Sequence, residues 1–169
     1  MIETKRLLIK QLRISRPDID HILARQIAWL NDKEAMQYSE QRHRAHTLDS
    51  QRAYLQSQNE SFSVFEIVAK DGYESIGTMA VCFDRHNDVA DLGILIGPPY
   101  RGKSLGMEAW DGLYNWLLHH RVTKIEAGFM EGNQAMYRIC RRRMIYEGRR
   151  ARHFIKDGQR VDLILYGSR

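Results

Sequence analysis

The chain lacks the residues that build most specialised scaffolds. Its only cysteines, Cys82 and Cys140, lie far apart with no Cys-x-x-Cys spacing. This excludes a disulfide framework or a thiolate zinc site and leaves two free thiols. Its only prolines are Pro17, Pro98 and Pro99, and no Gly/Ser/Pro-rich tract, low-complexity segment or internal repeat divides it. Residues 1–169 therefore read as a single domain, of a size that typically buries about 70% of the surface its unfolded chain exposes. No apolar run approaches the ~20 residues of a membrane span, and Met1 leads into Glu3, Lys5 and Arg6 rather than a signal-peptide core. A soluble, cytoplasmic protein with no membrane partner is expected. Neither G-x-G-x-x-G nor G-x-x-x-x-G-K-[ST] is present, which removes the common dinucleotide and P-loop fingerprints.

What is present is a local excess of positive charge. The net charge is +5, yet residues 137–160 hold nine Lys or Arg against two acids. A basic patch of this kind favours phosphate-bearing partners: a nucleotide cofactor, a nucleotide-activated substrate or a ribosomal surface.

Periodicity predicts a strand over Thr4–Leu12. Ser15-Arg16-Pro17-Asp18 then reads as a capping box, opening a helix on which Ile19, Ile22, Leu23, Ile27 and Leu30 share a face. A short helical stretch is expected over Lys33–Tyr38, a polar loop over Ser39–His46 and a helix from Thr47 through Gln58. Three strands follow as a meander, Phe62–Ala69, Ser75–Phe83 and Val89–Ile96. Then come a helix over Ser104–His120, a strand over Val122–Met130 and a helix over Asn133–Arg143. Strands Arg149–Ile155 and Arg160–Tyr166 close the chain around Lys156-Asp157-Gly158. This order is mixed α/β and does not match a doubly wound sheet.

The most informative stretch runs from Gly93 through Gly97-Pro98-Pro99-Tyr100 to Arg101-Gly102-Lys103-Ser104-Leu105-Gly106. A buried-type strand stops at prolines, passes through small residues and enters a helix. Such a loop lets the backbone approach a pyrophosphate, whose charge the free amides and the dipole of the helix stabilise. The bland alternative is a simple strand-to-helix turn.

Residues Arg101–Gly106 resemble the pyrophosphate loop Q/R-x-x-G-x-G/A of the GNAT superfamily of N-acetyltransferases, with Ser104 in place of the middle glycine. Ala90-Asp91-Leu92-Gly93, Glu108-Ala109, Asn133 and Glu147-Gly148 stand in family order and spacing. The subgroup most resembled holds ribosomal-protein N-terminal and amino-sugar acetyltransferases. The resemblance implies a mixed, mostly antiparallel sheet, flanked by helices and splayed at the cofactor-binding strand, with acetyl-coenzyme A in the gap. Ile94, Leu95 and Ile96 would pair with pantetheine, and Arg101, Gly102, Lys103, Ser104, Leu105 and Gly106 would cradle the pyrophosphate. Asn133 either contacts the cofactor or caps its helix. The implied activity is direct attack of a primary amine on the thioester through a tetrahedral intermediate.

That attack needs a proton acceptor. Asp91 stands where the subgroup often has Glu, and Glu126 on the next strand competes with it; either also fits an ion-paired strand residue. The departing thiolate needs a proton donor, and the family's tyrosine position is here Cys140, which equally suits apolar packing. Tyr137, one turn earlier, is the other candidate. His43 and His46, within Arg42-His43-Arg44-Ala45-His46, have no ligating companions at metal spacing and read as a solvated basic loop beside the acceptor site. Arg138, Arg141, Arg142 and Arg143 fit a solvated helix face, and Trp29, Trp110 and Trp116 core or groove lining. The expected acceptor is the amine of a small molecule or nucleotide-linked amino sugar. The alternatives are a protein N-terminus, a nucleic-acid-binding module without coenzyme-A affinity (nucleic acid is not the expected partner), or a catalytically silent acetyl-coenzyme A sensor. Monomer and homodimer both remain open, with Arg160–Tyr166 as a possible exposed sheet edge.

Overall fold

The computed structural model describes residues 1–169. The first expected strand is two short ones, β1 (Ile2–Glu3) and β2 (Leu7–Gln11). Thr4 makes the turn between them, its hydroxyl accepting the Leu7 amide at 3.0 Å. The capping box at Ser15 does not form. The N-cap residue of α1 (Ile19–Leu30) is Asp18, with no side-chain cap, because its carboxylate pairs with Arg16 at 2.6 Å. Arg16 also reaches the buried Glu66. Residues 33–38 form turns rather than a helix: Asp32 Oδ1 accepts the Glu34 and Ala35 amides at 3.0 Å each, turning the chain before a helix can propagate. A single 3₁₀ turn, Glu40–His43, follows within the expected loop. Thr47 does open a helix, α2 (Leu48–Gln56), through reciprocal hydrogen bonds with Ser50.

The meander is β3 (Phe62–Ala69), β4 (Ser75–Asp84) and β5 (Val89–Ile96). Then come α3 (Leu105–His119), β6 (Lys124–Met130), α4 (Gln134–Cys140), β7 (Met144–Lys156) and β8 (Gln159–Ser168). The eight strands form one sheet in the order β1-β2-β3-β4-β5-β6-β8-β7. Every neighbouring pair is antiparallel except β5 and β6, which are parallel. β7 begins five residues before the expected Arg149, because Met144 is buried in the main core and Tyr146 packs edge-on to Tyr166. β8 lies inside the sheet, so the exposed edge is β7 and not Arg160–Tyr166.

Alternation along the strands separates two faces. Ile67, Val81, Ala90, Leu92, Ile125 and Ala127 join Trp110, Leu113 and Leu117 of α3 and Cys140 of α4 in the larger core. The opposite face carries a smaller cluster in which Ile19, Ile22, Leu23 and Leu55 of α1 and α2 meet Val64 of β3. Beyond β3 the helices leave this second face open, and the side chains there are available for chemistry.

The tip of the β7–β8 hairpin reaches the loop between α1 and α2. Arg42 Nη2 donates to the Ile155 carbonyl at 2.7 Å, and Lys156 Nζ lies 5.1 Å from the Tyr38 ring centroid. The hairpin bends where its register breaks between Arg150 and Phe154. Asp162 holds that bend by accepting the Arg152 amide at 2.7 Å and pairing with Arg149 at 3.1 Å, and Arg152 takes a left-handed φ of 55°.

Candidate active site

β5 and β6 pair only over Val89–Asp91 and Lys124–Glu126. Beyond Asp91 and Glu126 the two strands part. Ile94, Leu95 and Ile96 pair on their other side with Met79, Thr78 and Gly77, so their edge towards β6 has no strand on it. The parting follows from a parallel pair that must serve two ends. β5 is drawn through Pro98–Tyr100 into α3, while β6 is held along its length by β8.

Asp91 and Glu126 are direct neighbours at the apex of this V, both on the open face. Cys82 lies opposite Asp91 on β4, and Phe62 opposite Cys82 on β3. Tyr54 of α2 closes that side, its ring 5.3 Å from Phe62. Asp91 sits at the bottom of the cleft with its carboxyl open to water. Partial desolvation and then the Glu126 carboxylate push its pKa up. Burial, then the charge of Cys82, pushes the Tyr54 hydroxyl up to about 12. Farther up β6 on the same face stands Met130, four residues or about 13 Å from Glu126 at strand rise; Arg42 packs on it with Nη1 3.6 Å from the sulfur. The cleft therefore has an acidic floor; at its rim Arg42 is ion-paired with Glu40 at 3.0 Å, and the exposed Arg44 follows it in the chain.

Ser104 is the N-cap residue of α3 with φ 60°, in the left-handed region, and makes no side-chain cap. The first intrahelical bond runs from the Glu108 amide to the Ser104 carbonyl, so the amides of Leu105, Gly106 and Met107 before it are left free at the mouth of the V. Gly102 is also left-handed, at 76°. These features fit a pyrophosphate, and the unpaired edge of β5 fits an extended chain bearing amides. The Arg101 side chain takes no part in the cradle: Nε donates to the Ile96 carbonyl at 2.9 Å and Nη2 to the Ala35 carbonyl at 3.2 Å. It fastens the loop to the α1–α2 connection. Lys103 is exposed. At Gly106 a Cβ would press on Ile96 Cγ1 at 3.2 Å, so this glycine serves close packing of α3 on β5.

Asn133 caps α4, its side-chain oxygen accepting the Met136 amide at 3.2 Å. Tyr137 is exposed on α4, with Arg141 stacked at 5.7 Å. Cys140 is fully buried, and burial pushes its thiol up to about 12, which suits packing better than proton donation. Cys140→Ala is expected to cost about 1 kcal/mol of stability and leave turnover within about threefold. A hundredfold loss of kcat at unchanged Tm would instead make the thiol the donor. His46 differs from the expected solvated loop: it is buried, its Nε2 bonded to the Gln41 carbonyl and Nδ1 to Gln51, each at 3.1 Å. It is a fastener of the loop. Sequence reasoning passed over Tyr54, Cys82 and Lys124. Cys82 was reachable by counting back from the Asp84–Val89 turn, which puts it opposite Asp91; Tyr54 and Lys124 had no comparable signal.

Residues 6–143 match the family described as acetyltransferase (GNAT) domain. No curated protein sequence matches. Solved structures with this fold include spermidine N-acetyltransferase from Vibrio cholerae in complex with CoA and spermine, at 16% identity and TM-score 0.82, covering 97% of this chain and 95% of that one. Ribosomal-protein-S5-alanine acetyltransferase from Vibrio fischeri superposes at TM-score 0.81 and 16% identity over 98% and 94% of the two chains. The microcin C7 self-immunity acetyltransferase MccE, in complex with acetyl-CoA and AMP, does so at 0.81 and 14% over 98% and 93%.

Proposed function

Because this chain belongs to the GNAT acetyltransferase family, we propose that it moves acetyl from acetyl-coenzyme A to the primary amine of a small, phosphate-bearing molecule. The observation that carries this reading is the division of charge in the open cleft. Asp91 and Glu126 form the floor, where an ammonium group is attracted and loses its proton. The rim is Arg42, packed on Met130 and ion-paired with Glu40, and with it the exposed Arg44, which supplies the uncompensated positive charge. An acceptor with an amine at one end and phosphate at the other matches both. Acetyl-coenzyme A supplies the activated thioester.

Asp91 is the proton acceptor, for three physical reasons. It stands at the apex where the strands part, it faces the acceptor cleft, and its raised pKa brings it nearer to that of the ammonium it must deprotonate. Glu126 holds the ammonium beside it. Tyr137, exposed on the α4 side, is the donor to the leaving thiolate.

The test is a comparison of matched acceptors by release of the coenzyme A thiol: glucosamine, glucosamine 6-phosphate, a nucleotide-linked amino sugar, spermidine and a peptide with a free N-terminus. A phosphorylated amine should exceed its unphosphorylated partner at least tenfold in kcat/KM, about 1.4 kcal/mol of added recognition. A clear preference for the peptide would replace this reading with protein N-terminal acetylation, and one for spermidine with polyamine acetylation.

A further inference from the structure

Lys124 lies 3.1 Å from Glu126 and 3.0 Å from Glu147. The second contact is unusual, because β8 runs between β6 and β7 and at ordinary strand spacing the two backbones are about 10 Å apart. Two local features bring the carboxylate across. The register of β7 shifts between Tyr146 and Gly148, so Glu147 sits at a bulge and is re-aimed over the sheet. Gly167 of β8, paired with both Glu126 and Ile145, leaves the lane open: a Cβ there would collide with the Glu147 carboxylate.

Glu126 is the immediate neighbour of Asp91, so whatever shares Lys124 with Glu126 also sets the field at Asp91. We infer that Glu147 is a positioning residue of the acceptor site. By drawing Lys124 partly away from Glu126, it leaves that carboxylate incompletely compensated and so sets the pH at which Asp91 takes a proton. The hydrogen bond to Glu147, ahead of that to Glu126, raises the pKa of Lys124, in keeping with a shared ammonium. The titratable groups around Asp91 are Glu126 and Lys124 on β6, Cys82 on β4, Tyr54 on α2 and, through Lys124, Glu147 on β7. The inference rests on Asp91 as the proton acceptor.

The experiment is a pH titration of the side-chain carboxyl carbons by ¹³C NMR in the full chain, with no acceptor added. Glu147→Gln leaves Lys124 to Glu126 alone and should lower the Asp91 midpoint. Gly167→Ala should lower it as well, by evicting Glu147 without changing any charge. Lys124→Met should raise it, and in that background Glu147→Gln should add no further shift. An Asp91 midpoint unmoved in both Glu147→Gln and Gly167→Ala overturns the inference, and so does an equal fall with Lys124 already removed. A role confined to folding would move Tm and leave the midpoint in place. Failure of the underlying reading looks different: Asp91→Asn would keep its acetyl transfer, whatever the titrations give.

Discussion

Ser104→Asp is expected to weaken acetyl-coenzyme A binding by about 30-fold, roughly 2 kcal/mol, while Tm holds or rises. The two effects have one cause. Aspartate tolerates the left-handed conformation found at this position, and its negative charge is favourable beside the free amides at the positive end of α3. Those amides are the proposed seat of the pyrophosphate, and the new carboxylate beside them repels the incoming charge. Titration calorimetry with acetyl-coenzyme A, beside a thermal melt, reads both. Unchanged affinity in a folded variant would move the pyrophosphate away from this helix end. Ser104→Gly is the complementary change: it relieves a left-handed non-glycine residue and should stabilise the fold by about 1 kcal/mol, with the cradle intact.

Asp91→Asn is expected to lower kcat by a factor of 10² to 10⁴, the usual contribution of a positioned general base. The wild-type rate should climb with pH through the raised Asp91 midpoint, and this limb should vanish in the variant. Stability runs the other way. A carboxyl whose folded pKa is raised contributes stability below its unfolded pKa, and that contribution is lost as pH rises through the folded value. The asparagine variant has no such loss, so its Tm at neutral pH should equal or exceed that of the wild type. An active variant with an unchanged pH profile would pass the role of base to Glu126, to be tested by Glu126→Gln.

Much of this arrangement was legible in the sequence, and for traceable reasons. The meander Phe62–Ile96 was readable because alternation and the turns at Asp71-Gly72 and Asp84–Asp88 fix both its limits and its facing. The loop into α3 was readable because prolines and glycines punctuate it, and Ser104 stood out as the residue in place of the loop's middle glycine, at a position whose backbone is left-handed. The two carboxylates of the apex were named, but their direct pairing was not readable. Which β6 residue meets Asp91 depends on how α3 packs and how far the crossover carries the chain, and neither is encoded locally. The short helix over residues 33–38 failed because Asp32 competes for the amides that helix would use. The contact of Lys124 with Glu147 escaped notice because it depends on a missing side chain at Gly167, twenty positions on from Glu147.

The alternation of β5 separates two requirements on one strand. Ala90 and Leu92 belong to the main core and Ile94 and Ile96 pack against it, whereas Asp91, Gly93 and Leu95 point the other way, to the open face. No atom lies within 4 Å of where a Cβ on Gly93 would stand. Substitutions at Gly93, and at Ala80 opposite it on β4, can reshape the cleft while the hydrophobic interior stays as it is. Changes in the proposed acceptor cleft can thus be made at a few alternate positions of one strand, while folding depends on the positions between them.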